Sequence, residues 1–123
     1  GGRLLVRCPV ADAVLWKEKQ ALWVQLDAPR HLSIPSTQGF VGAAQRSGFE
    51  VKEILFDSTA FQFWGTGLYE RGEKLDPSKI DTYFSSKQLE EWEQQAIQYN
   101  LEGKGDQACF FCVKAGGKVE VQA

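Results

Sequence analysis

The order of elements along the 123 residues predicts an α/β fold in which helices flank a sheet of three main strands. Three apolar runs have the length and composition of strands: residues 3–8, 49–56 and 107–114. Helical patterns occupy much of the sequence between them. Three strands form a small sheet for so many helices, so we expect the chain to be part of a larger architecture.

Composition narrows the functional classes. The 43% hydrophobic and 24% charged residues are ordinary for a globular protein. Lys and Arg total 14 against 16 Asp and Glu, and a net charge of −2 provides no broad positive field for nucleic acid or anionic lipid. No apolar run approaches the roughly 20 residues that span a bilayer. The sequence therefore predicts no nucleic-acid partner and no membrane partner, and we expect a cytoplasmic location.

The strand signals differ in kind. Residues 3–8 are mostly apolar on both faces and end at Pro9, which predicts a strand inside a sheet covered on both sides. Residues 49–56 alternate with a one-residue shift, so that Val51 and then Ile54 keep one apolar face. Residues 107–114 form the strongest strand. Gly116 and Gly117 predict a hairpin that returns the chain after it.

Two helices carry clear start signals. Ser36 is a candidate N-cap for a helix that ends before Gly48. Ser85 and Gln88 form a capping-box pattern ahead of the last helix, whose apolar face comprises Leu89, Trp92, Ala96 and Tyr99. Residues 12–25 predict a less regular helix. Residues 57–83 form a long connection rich in aromatic residues and glycine.

The three cysteines do not form a disulfide framework, because their number is odd. Cys109 and Cys112 make a C-x-x-C pattern, but it lies in a strand, where side chains three positions apart point to opposite faces. This favours a buried strand over a redox or zinc site, which remains the alternative.

Several segments in order resemble class I S-adenosylmethionine-dependent methyltransferases. Gly1-Gly-Arg-Leu-Leu-Val-Arg-Cys-Pro9 resembles the fifth strand of that family, and Trp23-Val-Gln-Leu-Asp-Ala-Pro-Arg-His-Leu32 resembles a motif that follows it in one subgroup. Residues 36–51 look like the next helix and the sixth strand. Asp57-Ser-Thr-Ala-Phe-Gln-Phe-Trp-Gly65 and Asp106-Gln-Ala-Cys-Phe-Phe111 are similar to the subgroup's C-terminal part.

The resemblance implies a partial Rossmann-like sheet in the order first, last, middle, with the last strand antiparallel. It also implies that the chain is the C-terminal segment of a methyltransferase domain and lacks the cofactor-binding half. Neither Gly65-Thr-Gly67 nor Gly103-Lys-Gly105 lies between a strand and a helix, as the family's cofactor loop does. The absence of methionine also suggests a segment of a longer product. We expect S-adenosylmethionine to bind only the full-length protein, so that this chain alone holds no cofactor or metal and is inactive.

The resemblance places His31, the single histidine, near the methyl-acceptor pocket as a candidate base; alternatively its ring orders the local turn. Arg30 is a candidate for holding an anionic acceptor, or for pairing with Asp27. Candidate substrate-binding aromatics are Trp23, Phe61 and Trp64. They belong to a larger aromatic set that either roofs the acceptor site or packs as core: Trp16, Trp23, Phe61, Phe63, Trp64 and Tyr69.

The predicted function is therefore to complete the sheet and roof the acceptor site of a methyltransferase. The expected partners are the missing N-terminal half and a small-molecule methyl acceptor, with self-association through the exposed sheet edge when that half is absent. A non-catalytic binding or assembly module built on the same half-fold is the alternative.

Overall fold

A three-stranded sheet organises the protein in a computed structural model that describes residues 2–27, 31 and 33–115. Its strands are β1 (Arg3–Pro9), β2 (Phe49–Phe56) and β3 (Gln107–Lys114). β3 lies in the centre and pairs antiparallel with both neighbours, so β1 and β2 run parallel to each other at the two edges. The predicted order and the antiparallel last strand are confirmed. The predicted hairpin at Gly116 and Gly117 lies outside the described residues.

One face of the sheet, the covered face, carries the main apolar core. Phe110 is fully buried at its centre, and the ring of Phe40 stacks on it with centroids 4.0 Å apart. The rest of this face is apolar on all three strands: Val6, Cys8, Val51, Ile54, Phe56, Ala108 and Cys112. Between Val51 and Glu53 the register shifts, so Lys52 is the extra residue of a β-bulge and the alternation resumes at Ile54 as predicted.

The opposite face, the open face, is apolar along its middle and largely exposed. Leu5 pairs with Phe111, and Leu55 pairs with Cys109 two positions along β3. Leu5, Phe111 and Leu55 are 60%, 37% and 50% exposed, whereas Cys109 is buried. The prediction that layers cover β1 on both sides is therefore wrong for this chain, and on the open face of β3 only Cys109 is buried. The reason is topological: α2 packs on the covered face, and the segment between β2 and β3 folds beyond the end of the sheet.

The described residues contain five α-helices besides the sheet: α1 (Val14–Lys19), α2 (Thr37–Arg46), α3 (Phe61–Glu70), α4 (Ile80–Tyr83) and α5 (Ser86–Glu102). The helix predicted over residues 12–25 is shorter than expected. It ends at Lys19 because Gln20 has a positive φ of 50°, and 3-10 turns follow at Gln20–Leu22 and Val24–Leu26. A third 3-10 turn, Pro77–Lys79, leads into α4. Within residues 2–27, 31 and 33–115, no helix combines the length and apolar character needed to cross a membrane.

The long connection predicted over residues 57–83 contains α3, which sequence patterns did not predict. Its two glycines lower helix propensity, but both lie where another element comes close. A Cβ on Gly65 would be 2.7 Å from the Val24 side chain, and one on Gly67 would be 2.8 Å from Phe84. Close packing therefore selects glycine here at the expense of intrinsic helix stability.

Both predicted helix caps are present. The hydroxyl oxygen of Ser36 accepts a hydrogen bond from the Gly39 amide at 2.9 Å, and that of Ser85 accepts from Gln88 at 3.1 Å. Gly48, at φ 87°, follows α2 as predicted.

Replacement of Ser85 by alanine should lower the free energy of unfolding by about 1 kcal/mol, because an amide of the first turn of α5 loses its acceptor. Urea denaturation followed by far-ultraviolet circular dichroism measures the change. Ser86→Ala is the matched control, since Ser86 is the exposed first residue of α5 and no side-chain hydrogen bond involves it. Equal losses in the two variants would contradict the capping role.

Candidate functional site

The connecting segments converge at one end of the sheet, where β1 and β2 end and β3 begins. The Val10 amide donates to the Asp106 carbonyl at 3.1 Å, and the Asp57 amide donates to the Gln107 carbonyl at 3.2 Å. A third bond runs from the Val14 amide to the Lys104 carbonyl at 3.3 Å. The segments after both outer strands are thereby fixed to the start of β3. In open α/β sheets, this carboxyl end of the parallel strands is where ligands commonly bind.

A buried carboxylate lies at this end of the sheet. Asp106 is 1% exposed, and the indole Nε1 of Trp23 donates to its Oδ2 at 3.3 Å. Burial raises the pKa of Asp106 to about 6, although hydrogen bonds from Ser58, Trp23 and Gln25 act in the opposite direction. The group therefore exchanges a proton closer to neutrality than an ordinary carboxyl does.

Two polar side chains of α3 extend this buried polar cluster. Thr66 accepts a hydrogen bond from the Val24 amide at 3.1 Å, and this satisfies a backbone donor in the second 3-10 turn. Gln62 donates to the Thr59 carbonyl at 3.2 Å, while its Oε1 is buried without a partner among the described residues. Asn100 of α5 completes the anchoring by exchanging two hydrogen bonds with the backbone of Ser58, at 3.0 and 2.9 Å.

A pocket of about 230 Å³ adjoins the cluster. Its lining is mainly apolar and aromatic: Ala11, Trp16, Trp23, Leu26, His31, Ser33 and Ile34. Trp16 and Trp23 contact each other with centroids 5.8 Å apart. Trp23 is buried. Its side chain forms part of the pocket wall and also donates the hydrogen bond to Asp106, so it links the pocket to the polar cluster.

His31 is held by the backbone in this pocket. Its Nδ1 is 3.0 Å from the Gln25 carbonyl oxygen, and its own amide donates to the Asp27 carbonyl at 3.4 Å. Because a carbonyl only accepts, Nδ1 carries the proton of this hydrogen bond. In the neutral ring Nε2 is then the unprotonated nitrogen. The same contact orders the turn, as the alternative interpretation expects, and leaves Nε2 able to accept a proton.

The structure brings together only part of the predicted acceptor site. Trp23 and His31 line one pocket, whereas Arg30 lies outside the described residues. Phe61 and Trp64 contact each other edge to face, 4.9 Å apart, and do not line the pocket. Sequence patterns did not identify Asp106 as a site residue, because it belongs to a Gly-Lys-Gly-Asp turn. Its position directly before the most apolar strand was the available signal.

The cysteine pattern has the predicted strand geometry. Cys109 lies on the open face opposite Arg7, and Cys112 lies on the covered face opposite Leu4. Burial raises the pKa of the Cys112 thiol, which disfavours the reactive thiolate. In the part of the chain that the structure describes, no group of three His, Cys, Asp or Glu side chains is placed to hold a metal ion.

Three glycines of the two Gly-x-Gly patterns lie where other side chains come close. Gly65 and Gly67 lie inside α3 and face Val24 and Phe84. A Cβ on Gly105 would meet the side chains of Ser58 and Asn100 at 2.5 and 2.6 Å. Close packing therefore requires glycine at positions 65, 67 and 105.

Comparisons with family models, curated proteins and solved structures found no match to this chain.

Replacement of Asp106 by asparagine should change how stability depends on pH. The folded-state pKa of about 6 exceeds the ordinary 3.8, so folding favours the protonated acid. That contribution is fully present below the ordinary value and is lost as the pH rises through about 6. Asparagine does not ionise and can still accept from Trp23. The stability of Asp106→Asn relative to the parent should therefore rise by on the order of 2 kcal/mol between about pH 4 and pH 7.

Urea unfolding at a series of pH values measures this difference. Asp81→Asn makes the same replacement at an exposed position of α4 and reports any general effect of removing a carboxylate. A difference between Asp106→Asn and the parent that is constant with pH would contradict the assignment.

Proposed function

We propose that this chain is the C-terminal segment of a class I S-adenosylmethionine-dependent methyltransferase. In the complete protein it extends the sheet, and its pocket lies on the methyl-acceptor side. The observation that carries the proposal is the uncovered apolar open face, together with an outer edge of β1 that has no pairing strand among the described residues. An α/β sheet of this family has layers on both faces, so an exposed apolar face is what we expect of the far part of such a sheet when its other half is absent.

The energetics of the open face support this proposal. Full burial of a Leu or Phe side chain contributes about 1.5–3 kcal/mol relative to full exposure. Leu5, Leu55 and Phe111 keep a substantial part of that contribution unrealised. Helices of an N-terminal half would cover them, and a strand of that half would pair with β1. The central antiparallel β3 also agrees with the order that the sequence resemblance implies.

The His31 pocket supplies the acceptor side of the proposal. Its aromatic walls suit an apolar or planar acceptor, and Nε2 of His31 is the group that would remove a proton from it. Arg30 and Trp23 are the proposed acceptor-binding residues nearest His31 in sequence. Phe61 and Trp64 lie apart from this pocket and have a place in the proposal only if the acceptor is extended. In this proposal the N-terminal half holds the cofactor, since neither Gly-x-Gly of this chain lies between a strand and a helix.

Isothermal titration with S-adenosylmethionine should show no binding by the 123-residue chain and saturable binding by a version extended upstream by roughly one domain. The physical reason is that the backbone loop and the acidic residue that hold the cofactor are expected only in the extension. Cofactor binding by the short chain would contradict the placement of the site. An absence of binding by both proteins would contradict the enzyme and favour the assembly module.

Replacement of Leu5 by lysine should distinguish the two forms of the protein. In the short chain, where Leu5 is 60% exposed, the free energy of unfolding should change by less than about 0.5 kcal/mol. In the extended protein the lysine would be buried, and the loss should reach about 2 kcal/mol or more. Denaturant unfolding of both forms measures the two changes.

Ile97→Lys is the matched control for this comparison. Ile97 is 53% exposed on α5, away from the sheet, so its replacement should have a small effect in both proteins. Equal small effects of Leu5→Lys in the short and extended proteins would contradict coverage of the open face by the N-terminal half.

A further inference from the structure

A second cavity, the aromatic cleft, lies between α1, α3 and α5. It measures about 210 Å³ and is bordered by three aromatic rings and three charged side chains: Phe63, Trp92, Tyr99, Glu18, Lys19 and Glu70. The cleft shares none of its lining with the His31 pocket. It is therefore a separate site in space, and a ligand can occupy it whether or not the chain belongs to a methyltransferase.

The aromatic rings form a continuous wall. The ring of Phe63 lies nearly parallel to Trp92, with centroids 6.0 Å apart, and at a tilt to Tyr99, with centroids 5.7 Å apart. All three side chains are half-buried, and all three line the cleft. The π-electrons make the ring faces negative, and cations bind favourably over such faces, best over Trp.

The charges at the rim favour the same kind of ligand. Glu70 is paired with Lys19 at 2.7 Å, whereas Glu18 forms no ion pair among the described residues. Two carboxylates and one ammonium group leave a net negative rim. Burial raises the pKa of the Tyr99 hydroxyl, and the Glu18 carboxylate raises it further, which places that negative charge beside the aromatic wall. Lys104 acts in the opposite direction on Tyr99 but is itself paired with Glu102 at 3.0 Å.

We propose that the aromatic cleft binds a small organic cation, with its ammonium group against the aromatic wall and close to the Glu18 carboxylate. At about 30 Å³ of liquid volume per water molecule, the cavity equals roughly seven waters, which suits a compact quaternary or primary ammonium ion. An anion is disfavoured by both the rings and the net charge. An uncharged apolar ligand of the same shape would keep the ring contacts but lose the electrostatic attraction.

The test compares choline with 3,3-dimethyl-1-butanol, which has the same shape but a carbon in place of the charged nitrogen. Each is titrated into the ¹⁵N-labelled 123-residue chain, and the indole signal of Trp92, identified with Trp92→Phe, is followed by NMR. Choline should produce a saturable shift in the millimolar range, and the alcohol should bind about fivefold or more weakly. Equal binding of the two probes, or no saturable shift with choline, overturns the proposal.

Three charge variants sharpen the comparison. Glu18→Gln should weaken choline binding about fivefold, whereas Lys19→Gln should strengthen it by a similar factor because Glu70 loses its ion-pair partner. Glu93→Gln removes the same charge from an exposed position of α5 that does not line the cleft, and should leave the affinity unchanged. Since all three positions are at or near the surface, amide spectra verify that each variant is folded. Indistinguishable affinities for Glu18→Gln and Glu93→Gln would place the binding elsewhere and overturn the proposal.

Discussion

The sheet depends on the central position of β3. In the described structure both outer strands bond only to β3, so its pairing with β1 and β2 holds the first and last parts of the chain together. Phe110 anchors it by lying between Val6 and Ile54 beneath Phe40. Because β3 follows both outer strands in the sequence, and β1 by about 100 positions, the described sheet forms through contacts between distant segments, which are the slow contacts in folding.

The start of β3 also sets the position of the pocket. Asp106 immediately precedes the strand, and its carbonyl and carboxylate bind Val10 and Trp23 respectively. A carboxyl group in this environment is costly to ionise. Its hydrogen bonds nevertheless fix the segment after β1 at the carboxyl end of the sheet. The pocket that contains His31 is therefore positioned by a buried polar contact, while the apolar core holds the sheet itself.

The features that could be predicted are those that depend on residues close together in the sequence. The strands, the shift in alternation before Ile54 and the N-caps at Ser36 and Ser85 all follow from local patterns. Sequence patterns did not predict α3, because the penalties at Gly65 and Gly67 are offset only by close contacts with other elements. The candidate site was predictable to a smaller extent. Trp23 and His31 are close in sequence and line one pocket, whereas the hydrogen bond of Asp106 comes from Trp23, 83 positions away.

The bulge at Lys52 makes the two edge strands of the sheet, β1 and β2, unequal in regularity. On the β2 side it interrupts the regular ladder, and Lys52 pairs with Glu50 at 3.1 Å, so this border presents irregular backbone and charge. The β1 side pairs without a register shift along its whole length and carries Leu4 and Leu5. Charges and bulges are the devices by which natural sheets prevent unwanted strand addition. The backbone at the outer side of β1 is therefore the more regular of the two and lacks the bulge that interrupts β2.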